Sequence, residues 1–112
     1  MGDDKQMKEN LLKIINNYGV IPQLKYFQSE VWELNEAIFQ YVAQKEACEN
    51  IGCSRIHVDS CKKHITEEIA DCEIFLRQFK KYYNIDENEF ENIIKYKIER
   101  TLKRMDEGYY EK

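Results

Sequence analysis

The chain has 112 residues, with 17 Lys and Arg against 21 Asp and Glu and a net charge of −4. A hydrophobic content of 43% is too high for a disordered chain, and the length allows one domain, 1–112. One Pro and four Gly are too few for a sandwich or barrel of short strands, so the composition predicts an all-α chain. The acidic balance argues against a general nucleic-acid-binding surface. No apolar run approaches the roughly 20 residues that span a bilayer. The first residues lack a basic start and apolar stretch, so no secretory signal is read, and Gln6 stands where a myristoylation motif wants Ser or Thr. A cytoplasmic protein with four free thiols is therefore expected.

Four helices are expected. The first covers 4–18, with Met7, Leu11, Ile14, Ile15 and Tyr18 on one face. Gly19 is a helix stop, and Pro22 suits the first turn of the next helix, where a missing N–H is tolerated. That second helix covers 22–48 with a stripe of Leu24, Phe27, Val31, Leu34, Ile38 and Tyr41 or Val42. Asn50, Gly52, Ser54, Asp59 and Ser60 interrupt the pattern, and 49–60 reads as a loop. The third helix covers 61–83, where Ile65, Ile69, Cys72, Leu76, Phe79 and Tyr83 alternate spacings of four and three. The fourth starts near Asp86, with Glu89 in a capping-box position. It runs through Phe90, Ile93, Ile94, Ile98, Leu102 and Met105 to Gly108, before a loose Tyr-Tyr-Glu-Lys tail.

Two short segments echo each other. Glu30-Val31-Trp32-Glu33-Leu34 and Glu68-Ile69-Ala70-Asp71-Cys72 share the order acid, apolar, any, acid, apolar. Acids three apart lie on one side of a helix. Each acid here precedes a stripe residue and so sits about 100° from it, flanking the core. If the second and third helices form an antiparallel hairpin, Glu30, Glu33, Glu68 and Asp71 converge at one edge of the seam. Two like charges ~4 Å apart cost about 1 kcal/mol in water and several times that near a protein surface. Such a cluster calls for a cation or for protons. Oxygen ligands select hard ions, Mg²⁺ first and Mn²⁺ or Ca²⁺ next. Mg²⁺ commonly completes its shell with substrate phosphates, which suits phosphate chemistry. The bland alternative is that these acids solvate helix edges.

Here the residues resemble a known family. Ser-Glu-Val-Trp-Glu-Leu-Asn-Glu-Ala-Ile at 29–38 and Thr-Glu-Glu-Ile-Ala-Asp-Cys-Glu-Ile-Phe-Leu at 66–76 look like the two motif helices of the MazG-like all-α nucleotide pyrophosphohydrolases. Lys97-Ile98-Glu99-Arg100 resembles the basic stretch on that family's later helix, and the resemblance covers roughly positions 20–105. The link between the motifs, 34–67, is longer than in compact members. The resemblance implies a four-helix MazG-like bundle; a core this small, with Trp32, Phe39, Phe75 and Tyr82 outside the narrow stripes, predicts completion by a homodimer or homotetramer. The resemblance also implies hydrolysis of a nucleoside triphosphate between the α- and β-phosphates, giving a monophosphate and pyrophosphate. Glu30, Glu33, Glu68 and Asp71 would hold Mg²⁺, with Mn²⁺ as a substitute. Glu33 and Glu68 are equal candidates to orient or deprotonate the attacking water. Lys97 and Arg100 would offset phosphate charge, with Arg104 one turn further on; a solvated basic helix end is their plain alternative.

Other patterns are weaker. Cys53, His57, Cys61 and His64 suggest zinc but lack the Cys-x2-Cys knuckle. Cys72 falls in the stripe and reads as a small core residue, and no local motif supports Cys–His catalysis. A di-iron bundle needs Glu-x-x-His, and neither His has Glu three before it. The scattered glycines exclude a Walker-type loop. Trp32 reads as packing or a subunit contact, or as a stack for a nucleobase. The eight Tyr form no basic–aromatic array for single-stranded nucleic acid. The rival reading of the whole chain is a non-catalytic helical interaction protein that keeps the scaffold.

Overall fold

The computed structural model describes residues 2–52 and 55–108, and all the regular structure among them is helical. Four helices follow in order: α1 Gly2–Tyr18, α2 Val20–Ile51, α3 Arg55–Tyr82 and α4 Glu87–Asp106. Contacts divide the described chain after Tyr82 into two compact units. The first holds α1 to α3, and the second holds α4.

Local chemistry sets the breaks. Gly19 has φ 90°, a conformation that strains any residue with a Cβ. Its N–H closes the last turn of α1 on the Ile15 carbonyl at 2.8 Å, and its own carbonyl accepts from Gln23 N–H at 3.3 Å to open α2. One glycine thus ends one helix and starts the next. Pro22 falls in that first turn. At α4, Asp86 Oδ2 accepts from Glu89 N–H at 2.9 Å, which is the backbone-to-side-chain half of the expected capping box.

The expected loop over 49–60 is corrected. Helix α2 runs on to Ile51, ends at Gly52 with φ 85°, and α3 has already begun at Arg55. Asp59 and Ser60 therefore lie in the second turn of a helix, both exposed to water. Cys53 and the 109–112 tail lie outside the described residues. Cys48 is disulfide-bonded, which corrects the expected free thiol at that position. Cys61 and Cys72 are free.

Helices α2 and α3 make the largest helix–helix interface, and α1 lies mainly against α3. The α2–α3 pair is antiparallel. Phe27 packs on Phe75 and Phe79, each at a ring separation of 5.8 Å, while Tyr41 and Lys45 share a groove with Val58 and Lys62. Residue numbers rise on one helix as they fall on the other.

The seam differs from the expected stripes by one residue on both helices. Along the seam, the buried or half-buried residues of α2 include Gln23, Phe27, Glu30, Leu34, Ala37 and Tyr41. Those of α3 include Val58, Cys61, Ile65, Glu68, Asp71, Cys72, Phe75 and Phe79, with Gln78 also buried. Phe27, Leu34, Tyr41, Ile65, Cys72 and Phe79 were expected. Elsewhere the seam takes Gln23, Glu30 and Ala37 in place of Leu24, Val31 and Ile38, and Glu68 and Phe75 in place of Ile69 and Leu76. Glu30 and Glu68 thus stand inside the seam rather than beside it, a correction to the flanking position expected for them, while Glu33 is exposed. The displaced aliphatic residues form a second row, seven apart on each helix. They remain exposed, Ile69 by 50%. Trp32 and Phe39 are more open still, at 69% and 77%. On α1 only Leu11 and Ile15 of the expected face are buried, and Arg77 Nη1 of α3 donates to Met7 Sδ at 3.5 Å.

Candidate metal centre

The two motifs meet because the antiparallel pairing that stacks Phe27 on Phe75 sets Glu30 opposite the Glu68 turn. Oxygens of Glu30, Glu68 and Asp71 all lie within 4.8 Å of one another. Glu68 is 7% exposed. Glu30 Oε2 and Glu68 Oε2 are both buried and have no hydrogen-bond partner. A buried carboxylate oxygen with no partner costs more than a hydrogen bond returns, so this pair needs something further to satisfy it.

Glu33, one turn beyond Glu30, is exposed and outside the triad. It still belongs to the cluster electrostatically. The Glu30 carboxyl is raised from its ordinary 4.5 to about 7. Burial is the main cause, followed by the charges of Glu33, Asp71 and Glu68, and a hydrogen bond with Glu33 that only protonated Glu30 can donate. Burial and then the same four carboxylates push the Cys72 thiol up as well. Cys72 is a buried seam residue beside the acids, as its place in the stripe predicts.

This donor set fits a divalent cation. Oxygens around one Mg²⁺ or Ca²⁺ lie about 3–5 Å apart, so the three can share one coordination shell. A cation would also satisfy both orphaned oxygens and offset the charge repulsion that, after burial, raises the Glu30 carboxyl. Among the described residues this is the one group of His, Cys, Asp or Glu side chains able to hold a metal. Of the zinc pattern, Cys53 and the His57 side chain lie outside the described residues, and His64 faces a carboxylate. Its Nε2 is 3.8 Å from Glu68 Oε1. That neighbour went unread in the sequence, although the spacing of four between 64 and 68 carries the signal.

Lys97, Arg100 and Arg104 share one face of α4 by their spacings of three and four. They lie in the second unit, and the carboxylates lie in the first. Lys97 and Arg100 are exposed, and the Arg100 guanidinium sits 5.8 Å from the Tyr96 ring centre. No protein-family model, curated protein or solved structure matches the chain. No described helix is long and apolar enough to cross a membrane.

Proposed function

We propose that the chain is a divalent-cation-dependent nucleoside triphosphate pyrophosphohydrolase of the MazG-like kind. The observation that carries this reading is the pair of buried, unpartnered oxygens on Glu30 and Glu68, one from each acid motif. Glu30, Glu68 and Asp71 would hold the ion, with Glu33 beside them. When bound, Mg²⁺ or Mn²⁺ supplies Lewis acidity toward phosphate oxygens and acidifies water. Water attacks the α-phosphorus, the bond to the bridging oxygen breaks, and pyrophosphate leaves. Glu33 is the better base of the two candidates, because it is exposed to water while Glu68 is buried. The family resemblance gives Lys97 and Arg100, with Arg104 beyond them, the role of offsetting charge on the triphosphate.

Pyrophosphate release from a panel of normal and modified triphosphates, with Mg²⁺ present, tests the reading. No release from any of them leaves the rival, a helical interaction protein, which the exposed aliphatic rows favour. On the best substrate, Arg100→Ala should lower kcat/KM by at least about tenfold, since charged hydrogen bonds to phosphate contribute about 1.5–3 kcal/mol. Arg100→Lys should not restore it, because an ammonium lacks the two-pronged guanidinium grip. Unchanged kinetics in the Arg100→Ala and Lys97→Ala variants would remove α4 from catalysis.

Assembly belongs to the same proposal. Leu24, Val31 and Ile38 on α2 and Ile69 and Leu76 on α3 form exposed rows with seven-residue spacing, the repeat that packs helix against helix. A second copy covers them, giving a homodimer or a homotetramer. Light scattering at micromolar concentration should return at least twice the chain mass, and Ile69→Glu should shift it to the monomer. A monomeric wild type would defeat this.

A further inference from the structure

His64 stands one turn before Glu68 on α3, and Asp71 stands one turn after it. The run His-x3-Glu-x2-Asp places all three on one helix face. His64 Nε2 lies 3.8 Å from Glu68 Oε1, while Glu68 Oε2 is buried without a partner. The His64 side chain is 49% exposed, so the ring has room to turn. Two ligands four apart on a helix can grip a single ion, as the two histidines of a His-Glu-x-x-His helix do. An imidazole nitrogen also changes what a carboxylate site prefers. Oxygen donors suit Mg²⁺ and Ca²⁺, whereas an added nitrogen favours the transition metals.

We infer that His64 Nε2 joins Glu30, Glu68 and Asp71 around a divalent transition-metal ion, forming a three-oxygen, one-nitrogen centre that prefers Mn²⁺ or Co²⁺ to Mg²⁺. This rests on the carboxylate-site reading above and adds a ligand that the acid motifs do not contain. The hard triad alone takes Mg²⁺. With His64 engaged, the same pocket discriminates among divalent ions.

The test is titration calorimetry of the full chain with Mg²⁺, Mn²⁺ and Co²⁺ alone, on wild type, His64→Ala and His64→Gln. Circular dichroism checks that each variant is folded. Wild type should bind Mn²⁺ and Co²⁺ more tightly than Mg²⁺. Both variants should lose about tenfold or more in Mn²⁺ and Co²⁺ affinity, the size of effect that imperfect ligation has at metal sites. Their Mg²⁺ affinity should change less than about twofold, because Mg²⁺ takes oxygen ligands in preference to nitrogen. The visible bands of bound Co²⁺ should also differ between wild type and His64→Ala. If both variants keep the wild-type ratio of Mn²⁺ to Mg²⁺ affinity and the Co²⁺ bands do not move, His64 is not a ligand and the carboxylate site stands without it. If wild type binds none of the three ions, the carboxylate site falls, and this inference falls with it.

Discussion

Replacing Glu68 with Gln should make the cation-free protein more stable and, on the proposed function, abolish pyrophosphate release. Gln keeps the volume of the seam residue but removes one of the charges crowded around Glu30. Its amide also gains two N–H donors. These face Glu30 and Asp71, whose oxygens lie within 4.8 Å of those on Glu68. A new hydrogen bond to a charged acceptor contributes about 1.5–3 kcal/mol. For a domain of this size each 1 kcal/mol moves Tm by about 4–8 °C. An apo Tm several degrees above wild type is therefore expected. The rise in Tm that a bound cation gives wild type should vanish in the variant. Turnover should drop by at least about 10²–10³, the scale seen when one electrostatic stabiliser is lost. An acidic face that merely solvates a helix predicts the reverse: a small loss of stability and no effect on turnover. Melting curves with and without Mg²⁺, together with pyrophosphate release on the same preparations, separate the two.

The helices were legible in the sequence because their ends carry local chemistry. Asp86 and Glu89 announce α4 by a contact between residues three apart, and Gly19 announces a break by a conformation that only glycine adopts freely. The α2–α3 connection was misread for the converse reason. Asn, Ser and Asp discourage helix interiors but are accepted near an N-terminus, so composition alone could not say that α3 starts at Arg55. The seam was legible to within one residue. Periodicity located Phe27, Leu34, Cys72 and Phe79, whose neighbours on both sides of the stripe gave no reason to move. Between them the most apolar line ran through Val31 and Ile69, and the structure instead buries Glu30 and Glu68. Apolar patterning assigns the core to the residue with the larger transfer free energy. It has no way to represent a carboxylate placed in a seam. The acid echo carries information that patterning lacks: Glu30, Glu68 and Asp71 come together, with Glu33 exposed outside that triad, and two of the acids stand inside the seam rather than beside it. What the echo could not carry was the approach of His64 to Glu68, since His64 belongs to neither motif.

The burial of Glu30 gives the protein a pH dependence that a cation should reverse. Its carboxyl titrates near 4.5 when unfolded and at about 7 in the fold. A raised carboxyl favours the folded state while protonated. Its contribution is complete below the unfolded value and is lost as pH rises through about 7. Cation-free protein should therefore melt at a lower temperature at about pH 8 than at about pH 5, as far as this group governs it. A divalent cation needs Glu30 ionised, so binding above pH 7 removes no proton, whereas binding at lower pH must displace one. The gain in Tm from saturating Mg²⁺ should accordingly grow from about pH 5 to about pH 8, opposite in direction to the apo trend. Glu30→Gln isolates the group from the other acids of this chain, because Gln cannot titrate. In that variant the apo curve should flatten between the two pH values and the Mg²⁺ response should disappear. Parallel curves for wild type with and without Mg²⁺ would mean that Glu30 does not face the ion, and the centre would then have to be rebuilt around Glu68 and Asp71.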